Sequence, residues 1–548
     1  SPTNIGLLLL STSSAHKLGY VSTLELVERQ ELTFFTLSKL GRMHGHFFNW
    51  YDTKTLEPLM PQYISTVDSG NLAGHLIAIK QCSVELPDEK LFGPHVIRGL
   101  PDTIDALSNE ATNLGSVRQR TEVVTVRELR DEIGACRELL NHYPGHDLAA
   151  WCALINALGR RTSEIDDIVN ALAHEHGEIN FKELRWWVSA LKHQVTCLRR
   201  DTESLTTWGR LLPELKQAIG ASQEWAAITK LLQEVPTLAE VPQICDKALV
   251  QLSAFQDHDS TQLAQVSTRL TKALEQAAGG SNDLLSRLSR IARTCDQIID
   301  EMDFSFLFDV ERKLFTIGFN VTASRADDSY YDLLATEARL ASFVGIAKGD
   351  VPQQHWFRMG RALTKVDGGR ALLSWTGTMF EYLMPLLVMR NYPATLLAET
   401  YKTIVERQIE YGQERGVPWG ISEAAYNVRD LQLNYQYGPF GVPGLGLKRG
   451  LVEDLVVAPY ATMLAASIDA HAALSNLRRL EKEGALGSLG FYESIDYTAE
   501  RLPQGQKSVL IRAFMAHHQG LSLVALTNLL YDDVMERRFH SDPAVQAT

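Results

Sequence analysis

The chain has 548 residues, 45% of them hydrophobic, which is enough for sizeable cores and for two or three domains of ordinary size. Its formal net charge of -13 disfavours nucleic acid and anionic membrane surfaces, which recruit basic proteins, and suits a neutral substrate. The six cysteines, at 82, 136, 152, 197, 245 and 295, form no CxxC pair, so neither a zinc site nor a disulfide framework is indicated, and the apolar run 5–10 is too short to span a bilayer.

In chain order, the hydrophobic spacing predicts helices over about 4–18 and 23–40 with a short turn between them. The loop 45–71 follows. It carries Trp50 and Tyr51 as flat faces and Asp68 as a carboxylate, the last placed like a cap for a helix through 74–80. From about 116 to 300 the aromatic loops give way to charged helices. Val126, Leu129, Ile133, Cys136 and Leu140 fall at 3,4 spacing, and Leu284, Leu288, Ile291, Cys295, Ile298 and Met302 repeat it, so the two helices are expected to pair antiparallel as a stalk. This segment reads as an inserted helical bundle that carries no chemistry.

From 303 the first style returns. A β-like KLFTIGFNV precedes helices expected near 329–347, 375–390, 395–414, 451–467, 470–483 and 507–531. The expected division is therefore 1–115 as the first part of a helical ring, 116–300 as the insertion, and 301–548 as the rest of the ring. Without the insertion about six helical hairpins remain, which makes the expected fold all-α, an (α/α) toroid whose loops at one end shape a cleft. The chain starts at Ser1 and ends on SDPAVQAT, and it is expected to be a piece of something longer.

The stretch 417–447, VPWGISEAAYNVRDLQLNYQYGPFGVPGLGL, reads as a long shaped loop. Trp419, Tyr426, Tyr435, Tyr437 and Phe440 offer flat faces, and Glu423, Asp430, Asn427 and Asn434 offer hydrogen-bonding groups. That mixture suits a sugar, with Glu423 at its centre. Glu337 falls on the apolar stripe of the helix expected over 329–347, where burial raises a carboxyl pKa as a general acid requires; an internal salt bridge is the structural alternative. Glu381 is the sole charge between Arg370 and Arg390 and is expected to bind substrate or brace the architecture, with Pro385 kinking its helix. Asp327, Asp328 and Asp332 crowd one helix start, where capping accounts for at least one. Adjacent His517 and His518 are expected on different sides of a helix, with sugar hydroxyls or core packing as partners rather than a metal.

The segments SPTNIGLLLLST, GHFFNWYDTKTLEPLMPQYISTVDSGNLAGHL, DDSYYDLLATEARLASFVGIAKGDVP, SWTGTMFEYLMPLLVM, VPWGISEAAYN, NYQYGPFGVPGLGLKRGL and AHHQGLSLVAL closely resemble the middle, glucoamylase-like domain of bacterial cyclic β-1,2-glucan synthases. The resemblance runs nearly end to end, insertion included. It implies an (α/α)6 barrel similar to β-1,2-glucanases and anomer-retaining transglycosylation that closes linear β-1,2-glucan into rings, with no cofactor and no metal. It implies Glu423 of WGISE as nucleophile and Glu337 of ATEARL as acid/base, with Glu381 in reserve. Substrate contacts are then expected from Glu381, Asp68, Trp50 and Tyr51, from Tyr330, Trp375, Trp419 and Tyr426, and from Tyr435, Tyr437, His517, His518 and Gln519. The resemblance further implies a larger synthase of the bacterial inner membrane, with a glycosyltransferase region and a phosphorylase-like region, this part lying on the cytoplasmic face. An endo-β-1,2-glucanase and a non-catalytic glycan-guiding module are the alternatives.

Overall fold

The computed structural model describes residues 1–548 apart from 114–119, 143–144, 177–180, 219–222, 254–260 and 367–368. The expected boundary at 115/116 lies outside the described residues. The chain divides into two compact units: Ser1–Ser14, Thr33–Cys82 and Ala292–Thr548 form the first, and Ala15–Leu32 and Ser83–Ile291 form the second.

The second unit is built from helices, among them Gly99–Asn113, Arg120–Asn141, Leu148–His176 and Lys182–Leu205. The expected heptad positions are buried, as are Trp151, Trp208 and Trp225, and Trp151 stacks on Phe92 with ring centroids 4.9 Å apart. Helix Arg120–Asn141 packs against Gly99–Asn113 and Leu148–His176, its neighbours in sequence, rather than forming the expected stalk. Short connections favour such local antiparallel packing over a partner 150 or so residues away, whose recruitment costs more chain entropy.

The first unit holds the loops and all seven described sheets, each two- or three-stranded and antiparallel. The expectation of an all-α chain is corrected to that extent: the structure is mostly helical, but its long loops pair with one another so that their buried N–H and C=O groups are satisfied. The long loop around Glu423 contains such a hairpin, Ala424–Arg429 with Tyr435–Gly438, in which Ala425 faces Tyr437. Asp430 turns its tip, accepting from the backbone N–H of Gln432 and of Asn434 at 2.9 Å each.

Several expected helices are shorter. Tyr330–Tyr331 is a strand paired with Leu314–Thr316, and the helix is confined to Arg339–Lys348, so Glu337 sits in the turn just before it. Two adjacent tyrosines favour a strand, and a ready partner in KLFTIGFNV decides the matter. Asp327 accordingly caps no helix there; it accepts the Tyr63 hydroxyl. Asp68 lies inside helix Thr66–Glu85, whose start is met instead by Ser65, its hydroxyl accepting from the Asp68 N–H at 3.3 Å. Helix Met379–Leu383 passes into a 3₁₀ turn, Met384–Leu387, at Pro385. Pro459 begins helix Pro459–Ala465, and the expected 507–531 helix resolves into strand Val509–Ile511 and helix Ala516–Leu530. All six cysteines are buried free thiols.

Candidate active site

Several elements of the first unit bring carboxylates and aromatic side chains together around Glu423. The residue stands immediately before strand Ala424–Arg429, half-buried, and accepts a hydrogen bond from the Tyr437 hydroxyl at 2.9 Å. The same hydroxyl lies 3.3 Å from His517 Nε2 and 3.1 Å from His518 Nε2. Cross-strand pairing supplies Tyr437, because its partner Ala425 is two residues beyond Glu423 and thus on the same face. The histidines come from the first turn of Ala516–Leu530.

Sequence spacing placed those two histidines on different sides of their helix, and their Cα–Cβ directions do diverge by about 100°. The rings nevertheless converge, with centroids 4.1 Å apart. Glu423, His517 and His518 present ligand-type atoms within 4.8 Å of one another, a spacing that could hold a metal ion. The Tyr437 hydroxyl lies within hydrogen-bond distance of all three and links them.

Behind His518 stands Glu493, 2% exposed, whose Oε2 is 3.0 Å from His518 Nδ1 and whose Oε1 accepts the Ala425 N–H at 3.0 Å. Tyr460 stacks on the His518 ring at 3.6 Å and 11°, and its hydroxyl reaches both Ser422 Oγ (2.8 Å) and the Glu423 carbonyl (2.9 Å). The Glu423 backbone is therefore fixed by a buried tyrosine and its side chain by a more exposed one.

Burial pushes the Glu423 carboxyl up to about 7; the charges of Glu381, Asp68 and Glu493 add to the rise, and the Tyr437 hydrogen bond opposes it. Glu337 goes further in the same direction. Burial pushes it well above the ordinary carboxyl range, the charges of Glu423, Asp68 and Glu381 add to that, and a hydrogen bond with buried Asn71 opposes it. Two carboxyl groups in mutual electrostatic contact, one with a hydroxyl donor and one ringed by negative charge, have protonation states pushed apart.

The other expected residues divide. Glu381 is buried and its carboxylate is committed to backbone, accepting from Thr376 N–H at 3.0 Å and Gly377 N–H at 3.0 Å, so it shapes the loop that carries Trp375. Asp68 accepts from the Thr3 N–H at 3.3 Å and contributes its charge to the cluster. Trp50 is 52% exposed and Trp375 39% exposed, so both keep open ring surface, while Trp419 at 6% is buried and its backbone N–H and C=O are held by Asn476. The Tyr51 hydroxyl is spent on Gly41 O and Phe48 N–H. Tyr330 bonds Asp309 at 2.9 Å, and Tyr331 instead feels the charge of Glu337: alternate residues of a strand face opposite ways. Tyr426 packs on Phe440 and Arg501, Tyr435 on Arg429, and the Gln519 amide donates to Phe491 O. Tyr331, Asn71, Tyr460 and Glu493 escaped the sequence reading. The last two lie in helix and strand patterns without a motif of their own, and only the pairing of Tyr331 with Phe315 betrays its side.

Residues 329–543, which hold Glu337, Glu381, Glu423, Tyr437, Tyr460, Glu493, His517 and His518, match the family model Glycoamylase, described as "Putative glucoamylase". The fold is that of a glucoamylase-like protein: the crystal structure of a "putative glucoamylase" from Bacteroides caccae ATCC 43185 superposes with a TM-score of 0.51 at 12% identity, covering 100% of this chain and 86% of that one. A second, from Bacteroides fragilis NCTC 9343, gives 0.49 at 13% identity, with 100% and 84% covered. More particularly, the chain is 37% identical over 552 aligned residues to the cyclic beta-(1,2)-glucan synthase NdvB of Rhizobium meliloti (strain 1021). That alignment covers 100% of this chain and 17% of the synthase, so the chain spans about a sixth of the relative's length. The resemblance drawn from the sequence motifs thus holds over the whole chain. No helix among the described residues is long and apolar enough to cross a membrane.

Proposed function

We propose that this chain is the ring-closing domain of a cyclic β-1,2-glucan synthase, an anomer-retaining transglycosylase acting on linear β-1,2-glucan. The observation that carries the reading is the carboxyl pair: Glu423 with a hydroxyl donor that favours its anion, Glu337 among negative charges that favour its acid. Whole-length similarity to a cyclic glucan synthase supplies the substrate class.

In the first step Glu337 gives its proton to the glycosidic oxygen while the Glu423 carboxylate attacks the anomeric carbon; the bond to the leaving chain breaks and an ester to Glu423 forms. In the second, Glu337, now a carboxylate, takes the proton of the hydroxyl at the glucan's own far end as that oxygen displaces Glu423. Two inversions give net retention, and the ring closes without water. The exposed rings of Trp50, Trp375 and Tyr437 offer stacking faces that hold both chain ends and so raise the effective concentration of the internal acceptor. The helical architecture is read as an (α/α)6 barrel formed by 1–115 and 301–548 with the bundle 116–300 inserted, within a longer inner-membrane synthase whose glycosyltransferase and phosphorylase-like regions make and trim the glucan at the cytoplasmic face.

The test is incubation of the chain with linear β-1,2-glucan and mass analysis of the products. Rings, each lighter than its linear counterpart by one water and lacking a reducing end, are expected. A steady rise in reducing ends would make the protein a glucanase instead, and no turnover would leave only glycan binding.

A further inference from the structure

Inside the second unit, helix Lys182–Leu205 carries His193 and Cys197, four residues apart and so on one face. Glu25, in the first turn of helix Thr23–Leu37, meets them across 168 positions of sequence, with Oε1 2.9 Å from His193 Nε2. Cys197 Sγ lies 3.5 Å from the same nitrogen. One ligand-type atom from each of the three falls within 4.8 Å of the others. A tetrahedral zinc ion, with bonds of about 2.1 Å to imidazole nitrogen and about 2.3 Å to sulfur, needs an N–S edge of about 3.5–3.6 Å. The pair on the helix already stands at that spacing.

Hydrogen bonding accounts for only part of this cluster. Glu25 is 6% exposed, and its Oε1 accepts from Arg29 Nε at 2.9 Å and Nη2 at 2.7 Å besides facing His193. The other oxygen, Oε2, is buried and has no hydrogen-bond partner among the described residues beyond the weak thiol of Cys197. A buried carboxylate oxygen left in that state costs stability, and a cation answers it: Oε1 stays with Arg29 while Oε2 turns to the metal. A thiolate and a carboxylate together neutralise a dication. Arg200, the next arginine along the helix, has its own counter-charge in Glu28 at 2.9 and 3.0 Å. Sulfur, imidazole and carboxylate donors suit zinc, whereas magnesium and calcium take oxygen ligands.

We propose that Glu25, His193 and Cys197 form a zinc site that clips helix Thr23–Leu37 to helix Lys182–Leu205. On binding, the Cys197 S–H bond breaks, its proton leaves to solvent and a Zn–S bond forms, while Glu25 Oε2 and His193 Nε2 each give a lone pair. The fourth position is left to water beside the His193 side chain, which is 57% exposed and gives the ion its way in. The site shares no residue with the cluster around Glu423 and does not depend on the function proposed above. Because the folded chain binds the ion and the unfolded chain has no such site, zinc raises the stability of the second unit.

The experiment treats the whole chain with a chelator, removes the chelator, and titrates in cobalt(II) and then zinc(II). Cobalt is expected to give one tetrahedral d–d spectrum with a thiolate charge-transfer band per chain, zinc to displace it, and the melting temperature to rise with zinc concentration. Cys197→Ser is expected to lose the band. His193→Gln and Glu25→Gln are each expected to weaken zinc binding by about a hundred-fold or more, since even an outer-shell partner is worth 10–100-fold. His517→Gln, which breaks the Glu423–His517–His518 trio, is expected to leave the thiolate band unchanged. No thiolate band, a band that survives Cys197→Ser, zinc affinity unchanged in both His193→Gln and Glu25→Gln, or a melting temperature indifferent to zinc overturns the proposal. His193 is exposed enough for its variant to fold, so if Cys197→Ser or Glu25→Gln does not, His193→Gln decides by the same affinity criterion. Turnover is not read at any point, so failure of the ring-closing function would leave these outcomes as they are.

Discussion

Replacing Glu337 by Gln removes a proton donor while keeping the size of the side chain and its contact with Asn71. The side chain sits in a turn at the edge of the acid cluster and, among the described residues, holds no salt bridge, so the fold is expected to survive. General acid catalysis is worth about 10²–10⁴-fold, and at 1.36 kcal/mol per decade that corresponds to roughly 3–5 kcal/mol of the barrier for an alkoxide leaving group. A substrate whose leaving group needs no proton isolates this contribution. With linear β-1,2-glucan, kcat is expected to fall by about 10²–10⁴-fold, whereas with a β-glycosyl fluoride of the same glucan the first step is expected to fall less than about ten-fold. The basic limb of the pH profile, which reports loss of the Glu337 proton, is expected to vanish in the variant. Glu381→Gln serves as the comparison, since its carboxylate is committed to the N–H groups of Thr376 and Gly377: it is expected to lower the melting temperature and weaken both substrates alike. Equal losses on both substrates for Glu337→Gln, with discrimination shown by Glu381→Gln instead, would refute the assignment and move the acid/base role to Glu381.

Glu423→Gly is expected to abolish turnover, and azide to restore it on an activated β-glucoside as the inverted, α-configured azide, identified by NMR; a β-azide would exclude Glu423 as nucleophile. Gly441→Ala would place a Cβ 1.8 Å from the Thr376 carbonyl oxygen, so the loop holding Glu381 must shift; a loss of about 3 kcal/mol, seen as a lower melting temperature, and weakened ring closure are expected. In the second unit, burial raises buried Asp201 from 3.8 to about 7 against the hydrogen bonds of Leu24 and Ser22. A carboxyl raised on folding stabilises fully below its unfolded pKa and loses that contribution as pH rises through its folded one, here about 4 kcal/mol between roughly pH 4 and 7. The melting temperature of Asp201→Asn is therefore expected to gain on wild type as pH rises through that window, and a constant difference would contradict the burial argument.

Local signals carried the amphipathic helices, because a 3.6-residue stripe needs only near neighbours: the heptad positions of 126–140 and 284–302 are buried where the spacing put them. Composition also singled out the loop around Glu423, since a run of glycines, prolines and aromatic rings is locally incompatible with a helix. Where the reading went astray, a distant partner had the deciding vote. Tyr330 and Tyr331 are alike as residues, but pairing with Leu314–Thr316 makes a strand of them and turns only Tyr331 toward Glu337. Trp419 sits in the same aromatic run as Tyr437, yet Asn476 draws its backbone into the core while cross-strand pairing carries Tyr437 to the carboxylate. Burial, and the company of carboxylates from three other segments, fix how tightly Glu337 holds its proton, and Glu493 and Tyr460 reach Glu423 only through the folded chain. A glutamate's identity is written in the sequence, but its proton affinity depends on a field summed over charges and solvent that are neighbours only in space, so only the tertiary structure sets how far the Glu337 and Glu423 carboxyls are raised.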